Sequence, residues 1–168
     1  VPVFQRADAL VIVLDLSASM SAADIQPSRV QRAKQKILDL LASRDEGVTG
    51  LVVYAGDAHV VAPLTDDRRT IENLLSALTP DIMRLPGSNV TAALEVATGL
   101  LQTAGVANGQ ILLITDGMPK FQAREISDEL AAARAELAIL GVGTRSGAPI
   151  PRPDGGFLRR ENGEIVIP

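Results

Sequence analysis

Ala9-Leu10-Val11-Ile12-Val13-Leu14-Asp15-Leu16-Ser17-Ala18-Ser19-Met20 is the stretch that decides the fold. Six apolar residues run without a polar break and stop on an aspartate. Such a run is short, rich in β-branched side chains and apolar on both faces, which predicts a strand at the centre of a sheet covered by helices. Ile111-Leu112-Leu113-Ile114 repeats the pattern, and Thr115-Asp116 closes it. Around these strands the period changes. Val30, Ala33, Ile37, Leu40 and Leu41 recur at helical spacing behind Pro27-Ser28, where Ser28 and Gln31 have the spacing of a capping box.

Leu51-Val52-Val53-Tyr54 and His59-Val60-Val61-Ala62 flank Ala55-Gly56-Asp57-Ala58 and read as an antiparallel pair joined by a tight turn. A helix capped by Asp66 or Asp67 carries Ile71, Leu74, Leu75 and Leu78 and is stopped by Pro80. Another follows Gly87-Ser88-Asn89 with Val90, Leu94, Ala97 and Leu101, and a third places Ile126, Leu130, Ala133 and Leu137 on one face before the strand Ala138–Val142. The alternation predicts an α/β fold: a doubly wound, mostly parallel central sheet with one antiparallel edge strand and helices on both faces. Residues 1–145 are expected to form the core. Residues 146–168, rich in Gly and Pro, are expected to pack on the same domain, with a hairpin around Asn162-Gly163.

With 168 residues and 46% hydrophobic content, the chain has room for one core. Aromatic residues at 2% and a formal charge of −4 argue against a nucleic-acid partner, which needs clustered Lys and Arg and stacking surfaces. The absence of Cys removes disulfides and thiolate metal sites. No apolar run reaches the ~18–20 residues of a membrane helix, and the chain opens on Val1 without a signal pattern. Any membrane anchor is expected outside these residues.

Folds of this kind bind ligands beyond the carboxyl ends of the strands, where strand order reverses. Two strand-terminal carboxylates meeting there are costly to desolvate unless a cation or hydrogen-bond donors compensate them. In Asp15-Leu16-Ser17-Ala18-Ser19, alternate side chains of an extended backbone point the same way, so one carboxylate and two hydroxyls can reach one ion. Oxygen donors alone suit Mg²⁺ or Mn²⁺ rather than zinc or copper. With so little negative charge around it, the ion is expected to favour a further anionic ligand.

Asp15-Leu16-Ser17-Ala18-Ser19-Met20 resembles the metal-ion-dependent adhesion site signature, DxSxS, of von Willebrand factor A domains, and Ile114-Thr115-Asp116-Gly117 resembles that family's second aspartate motif. The pattern DxSxS alone arises by chance in roughly one in twenty-five chains of this size; its place after a buried strand, matched by the second aspartate, makes it specific. Further stretches are similar to the bacterial Bat (aerotolerance-type, BatB-like) subgroup: Pro27-Ser28-Arg29-Val30, Arg32-Ala33-Lys34, Gly50 to Ala58, Pro63 to Asp67, Gly141-Val142-Gly143-Thr144 and Gly147 to Pro151. The resemblance covers nearly the whole chain. It implies a Rossmann-like fold and an Mg²⁺ site, with Mn²⁺ or Ca²⁺ as alternatives, formed by Asp15, Ser17, Ser19, Ser88 and Asp116, some of them acting through water. Ser88 stands where the family has threonine, and Thr91 and Thr65 compete for the position. The resemblance further implies a protein partner whose Glu or Asp completes the coordination. A bacterial inner-membrane protein is implied too, with anchors outside this segment, the domain on the periplasmic side and a MoxR-type AAA+ ATPase system beside it.

Two other readings compete. One is Mg²⁺-dependent phosphoryl transfer of receiver or dehalogenase type. It is disfavoured because Ser17 stands where a dehalogenase needs its second Asp, no acidic pair follows the first strand, and Lys120 lies only four residues past Asp116. The other is a scaffold stabilised by a structural metal. The sole His, His59, falls in an edge strand and is expected to be a surface or packing residue rather than a base. Ser88 could equally be a helix cap. The expectation is a binding domain, not an enzyme.

Overall fold

The computed structural model describes residues 8–118 and 123–168. Five strands, β1 (Ala9–Asp15), β2 (Val48–Tyr54), β3 (Ala58–Thr65), β4 (Gln110–Thr115) and β5 (Glu136–Gly141), form one sheet in the order β3-β2-β1-β4-β5. Strand β1 runs parallel to β2 and β4, β4 runs parallel to β5, and only β3 is antiparallel. All seven residues of β1 are buried, as expected of a strand with neighbours on both sides and helices on both faces.

Alternation along the strands divides the core in two. Leu10, Ile12 and Leu14 face α1 (Arg29–Ser43) and α2 (Arg68–Leu75), packing on Ala33, Ile37, Leu41, Ile71 and Leu75. Ala9, Val11 and Val13 face α3 (Val90–Thr103) and α4 (Ala123–Ala133), meeting Leu94, Ala97, Leu101 and Ile126. Each fully buried side chain of this size contributes about 1.5–3 kcal/mol. The sheet is therefore doubly wound.

Helix starts follow the side chains available. The Ser28 hydroxyl accepts the Gln31 N–H, and Asp67, not Asp66, caps α2 by accepting from Arg69 N–H. Asn89 caps α3 through the Ala92 N–H at 3.1 Å, so the capping role considered for Ser88 belongs to its neighbour and leaves the Ser88 hydroxyl free for other work.

One helical expectation is corrected. Leu137 does not continue α4: the helix ends at Ala133, Arg134 turns the chain at φ 51°, and Leu137 is the second residue of β5. It still enters the core cluster on the α4 face, because a position fitting the helical period also fits an inward strand position here. The tail forms isolated antiparallel bridges, Pro151 to Phe157 and Arg159 to Ile165, rather than a full hairpin ladder. No helix among the described residues is long and apolar enough to cross a membrane.

Candidate metal site

Strand order reverses between β1 and β4, because the chain leaves β1 towards β2 on one side and β4 leads to β5 on the other. Asp15 ends β1, and Asp116 directly follows Thr115, the last residue of β4, so both carboxylates sit at this switch point. Register does the rest. Tyr54 lies level with Asp15 on β2, while Leu14 pairs with Ile114 and puts Thr115 level with Asp15 on β4. Tyr54, Asp15 and Thr115 share strand parity with the core residues packed against α3, so they form a row across three strands on that face.

The row is a hydrogen-bond network. Asp15 is fully buried. Its Oδ1 accepts the Ser17 backbone N–H at 2.8 Å, and its Oδ2 accepts the Thr115 hydroxyl at 2.7 Å and the Tyr54 phenol at 3.2 Å. Burial pushes the Asp15 carboxyl up from its ordinary range, against those bonds, and the Asp116 charge pushes the same way. Burial, with the adjacent Asp15 charge, also raises the Tyr54 phenol far above its usual value, so it stays a donor. Asp15 is thus held in a fixed orientation with its charge incompletely compensated.

Beyond Asp15 the chain turns through a short 3-10 segment, Ala18–Ser21, and the Ser17 and Ser19 hydroxyls converge to 3.0 Å. That separation serves for a hydrogen bond, and it also matches the ~2.9 Å edge of an octahedron with Mg–O bonds of 2.0–2.1 Å. Ser88 lies in the loop before α3, next to the cap residue Asn89. That loop is pinned to the strand end by Gly56 N–H to Leu85 C=O at 2.9 Å and Asn89 N–H to Ala55 C=O at 2.7 Å. The amino-terminal end of α3 is therefore anchored beside the carboxyl end of β2.

The competing threonines are engaged elsewhere. Thr65 pairs with Thr49 near the start of β2, at the far end of the sheet, and accepts the Asp67 N–H. Thr91 donates to Glu125 of α4 at 3.3 Å. Lys120 lies outside the described residues. His59 is exposed and pairs with Asp57 at 2.8 Å on the edge strand, away from Asp15.

Among the described residues no group of three or more His, Cys, Asp or Glu could hold a metal. An ion here must take most of its ligands from hydroxyls and water, and this hard, oxygen-only donor set fits Mg²⁺ or Mn²⁺. Two strand-terminal carboxylates in one crevice call for a cation. For Asp116 the protein supplies one itself: the Arg29 guanidinium donates to its Oδ2 at 2.7 Å. Arg29 also grips Asp24 through two bonds of 2.8 and 2.9 Å.

Tyr54, Thr115, Arg29 and Asp24 were not singled out from sequence. Tyr54 had a usable signal, as the only Tyr of the chain and the last residue of the strand predicted over Leu51–Tyr54. Arg29 had none, since 87 residues separate it from Asp116.

Two consequences can be measured. A Cβ on Gly56 would meet the Leu85 Cγ at 2.8 Å and the backbone of Pro86. Gly56→Ala is expected to lower stability by about 1–3 kcal/mol and to weaken metal binding by displacing the Ser88 loop, as denaturation and calorimetry would report. Hydrogen bonds from Arg29, reinforced by the Thr144 N–H and hydroxyl, hold the Asp24 carboxyl well below its ordinary range. A depressed folded pKa stabilises the protein above the unfolded value and is lost as pH falls through the folded one. The stability gap between wild type and Asp24→Asn should therefore be full near neutrality and narrow below about pH 4 in acid-unfolding curves.

Residues 10–118 match the family model of the von Willebrand factor type A domain. Among solved structures, an aerotolerance-related membrane protein from Bacteroides fragilis matches with a TM-score of 0.85 at 30% identity, covering 95% of this chain and 80% of that one. The conserved hypothetical protein BatB from Bacteroides thetaiotaomicron matches with a TM-score of 0.86 at 32% identity, covering 95% and 79%. Manganese-loaded TRAP protein from Plasmodium vivax shares the fold, with a TM-score of 0.62 at 20% identity over 83% and 58%. The chain spans about a third of the length of the curated relatives it matches, 32% and 34% in two of them.

Proposed function

The chain belongs to the von Willebrand factor type A domain family, and from that premise we propose that it is a metal-ion-dependent protein-binding domain. Asp15, Ser17, Ser19, Ser88 and Asp116 would hold Mg²⁺, or Mn²⁺ in its place, directly or through water. The bound ion would supply a Lewis-acidic position for a Glu or Asp side chain of a partner protein. The observation that carries the reading is the pair of Ser17 and Ser19 hydroxyls, 3.0 Å apart beside a fully buried Asp15 at the switch point of the sheet. This chain's own residues prepare the position. Tyr54 and Thr115 orient Asp15, and the 3-10 turn fixes the two serines. No base or nucleophile is arranged there for catalysis among the described residues, which favours binding over phosphoryl transfer.

The test is calorimetric titration with Mg²⁺, Mn²⁺ and Ca²⁺ of wild type, Asp15→Ala and Ser19→Ala. Wild type should take up one ion, with Mg²⁺ and Mn²⁺ preferred to Ca²⁺. Ser19→Ala should lose about tenfold or more in affinity with an unchanged metal-free melting temperature, because among the described residues its hydroxyl bonds only to Ser17. Equal uptake by wild type and Asp15→Ala would sink the assignment. A partner that stays bound after chelation, while the melting temperature falls, would instead identify a purely structural metal.

The likeness to the Bacteroides aerotolerance-related membrane protein supports a second part of the proposal. The domain would work in a bacterial membrane-anchored Bat-type assembly, on the periplasmic side, with a MoxR-type AAA+ ATPase system as associate. Recovery of that ATPase with the full-length protein in Mg²⁺ but not in chelator is the expected result. Equal recovery in both would contradict metal-dependent association.

A further inference from the structure

A buried guanidinium stands between the second carboxylate of the site and the rest of the molecule. The Arg29 side chain is 3% exposed and Asp116 10%. One arm of the Arg29 fork donates to Asp116 at 2.7 Å. The other donors bind Asp24 at 2.8 and 2.9 Å and the Pro168 carbonyl at 3.2 Å. Gly143, at φ 124°, leaves the guanidinium its space, since a Cβ there would lie 3.0 Å from Nε. Asp24 is in turn tied to Thr144 by two bonds. Arg29 is thus locked from both ends and cannot leave Asp116 without stranding Asp24 as a buried, unpaired charge.

We propose that Arg29 is a positioning residue that holds Asp116 back from direct metal ligation, so that the ion keeps a net positive charge and selects carboxylate ligands. The inference rests on the metal-site reading above. With Asp116 held by the Arg29 guanidinium that it shares with Asp24, Asp15 is the carboxylate left to enter the shell of a divalent ion, the serine hydroxyls being neutral. Within that shell a single positive charge then remains to be met by the partner. Were Asp116 free to turn, it would cancel that charge itself. The ion would be held more tightly and would attract an acidic group less.

The two affinities must therefore move in opposite directions, which a merely structural role would not produce. The variant to use is Asp24→Asn/Arg29→Met, which removes one buried charge of each sign and leaves Asp116 unpaired. Mg²⁺ alone is titrated by calorimetry, then acetate into the Mg²⁺-loaded protein by NMR. Mg²⁺ affinity should rise about tenfold or more and acetate affinity fall by a similar factor. A variant that binds Mg²⁺ no more tightly than wild type overturns the proposal. Should the double variant fail to fold, wild type crystallised with Mn²⁺ decides. The Arg29–Asp116 bond retained supports it, and an Asp116 oxygen in the metal shell overturns it. If wild type takes up no ion, the metal-site reading itself has failed.

Discussion

Asp15→Asn should melt at or above the wild-type temperature in the absence of metal, yet gain nothing when Mg²⁺ is added. The carboxylate is fully buried, and in the metal-free protein burial outweighs its hydrogen bonds in penalising the charge. An amide of the same shape can keep accepting from Ser17 N–H through its oxygen and donate from its nitrogen to the Tyr54 and Thr115 hydroxyls, without a desolvated charge. It cannot neutralise a cation. Wild type, by contrast, should gain about 2.7 kcal/mol at Mg²⁺ concentrations a hundredfold above the dissociation constant. Thermal melts of both proteins with and without Mg²⁺ check this. An Asn variant that melts well below wild type without metal would mean that Asp15 is a structural residue. One that gains as much from Mg²⁺ would mean that the ion binds elsewhere.

The second large effect concerns the other end of the site. Replacing Arg29 alone by Met should cost about 3–5 kcal/mol, because it leaves two nearly buried carboxylates, Asp24 and Asp116, without their shared partner. For a chain of this size that is a fall on the order of 10 °C in melting temperature. Removing all three charges together, in Asp24→Asn/Arg29→Met/Asp116→Asn, should recover much of the loss, since buried ion pairs contribute little against neutral groups of similar volume. Urea denaturation of the single and triple variants separates the outcomes. A single variant as stable as wild type would show that the ion pairs carry no weight.

The parts of this molecule that could be read from sequence are those set by short-range chemistry. The apolar runs ending at Leu14 and Ile114 are legible because a strand buried on both faces tolerates no polar residue, and Asp15 stands out by breaking the run. The β2–β3 pair, the Ser28 cap and the oxygen-rich stretch Asp15 to Ser19 are local in the same sense. Choosing between Ser88 and Thr65 needed the sheet, which carries Thr65 to its opposite end. Leu137 was misplaced because a helix and a strand can bury the same position, and the bend at Arg134 has no side-chain signature. The pairing of Asp116 with Arg29 joins two faces of one crevice from distant parts of the chain, so only the fold reveals it.

One ion at one place beside Asp15 is what metal-dependent binding by this domain requires. Crystals grown with Mn²⁺ and measured near the manganese absorption edge should show a single anomalous peak beside Asp15, within bonding distance of the Ser17 and Ser19 hydroxyls. A map without that peak, with the two serine hydroxyls still bonded to each other in saturating Mn²⁺, would contradict it.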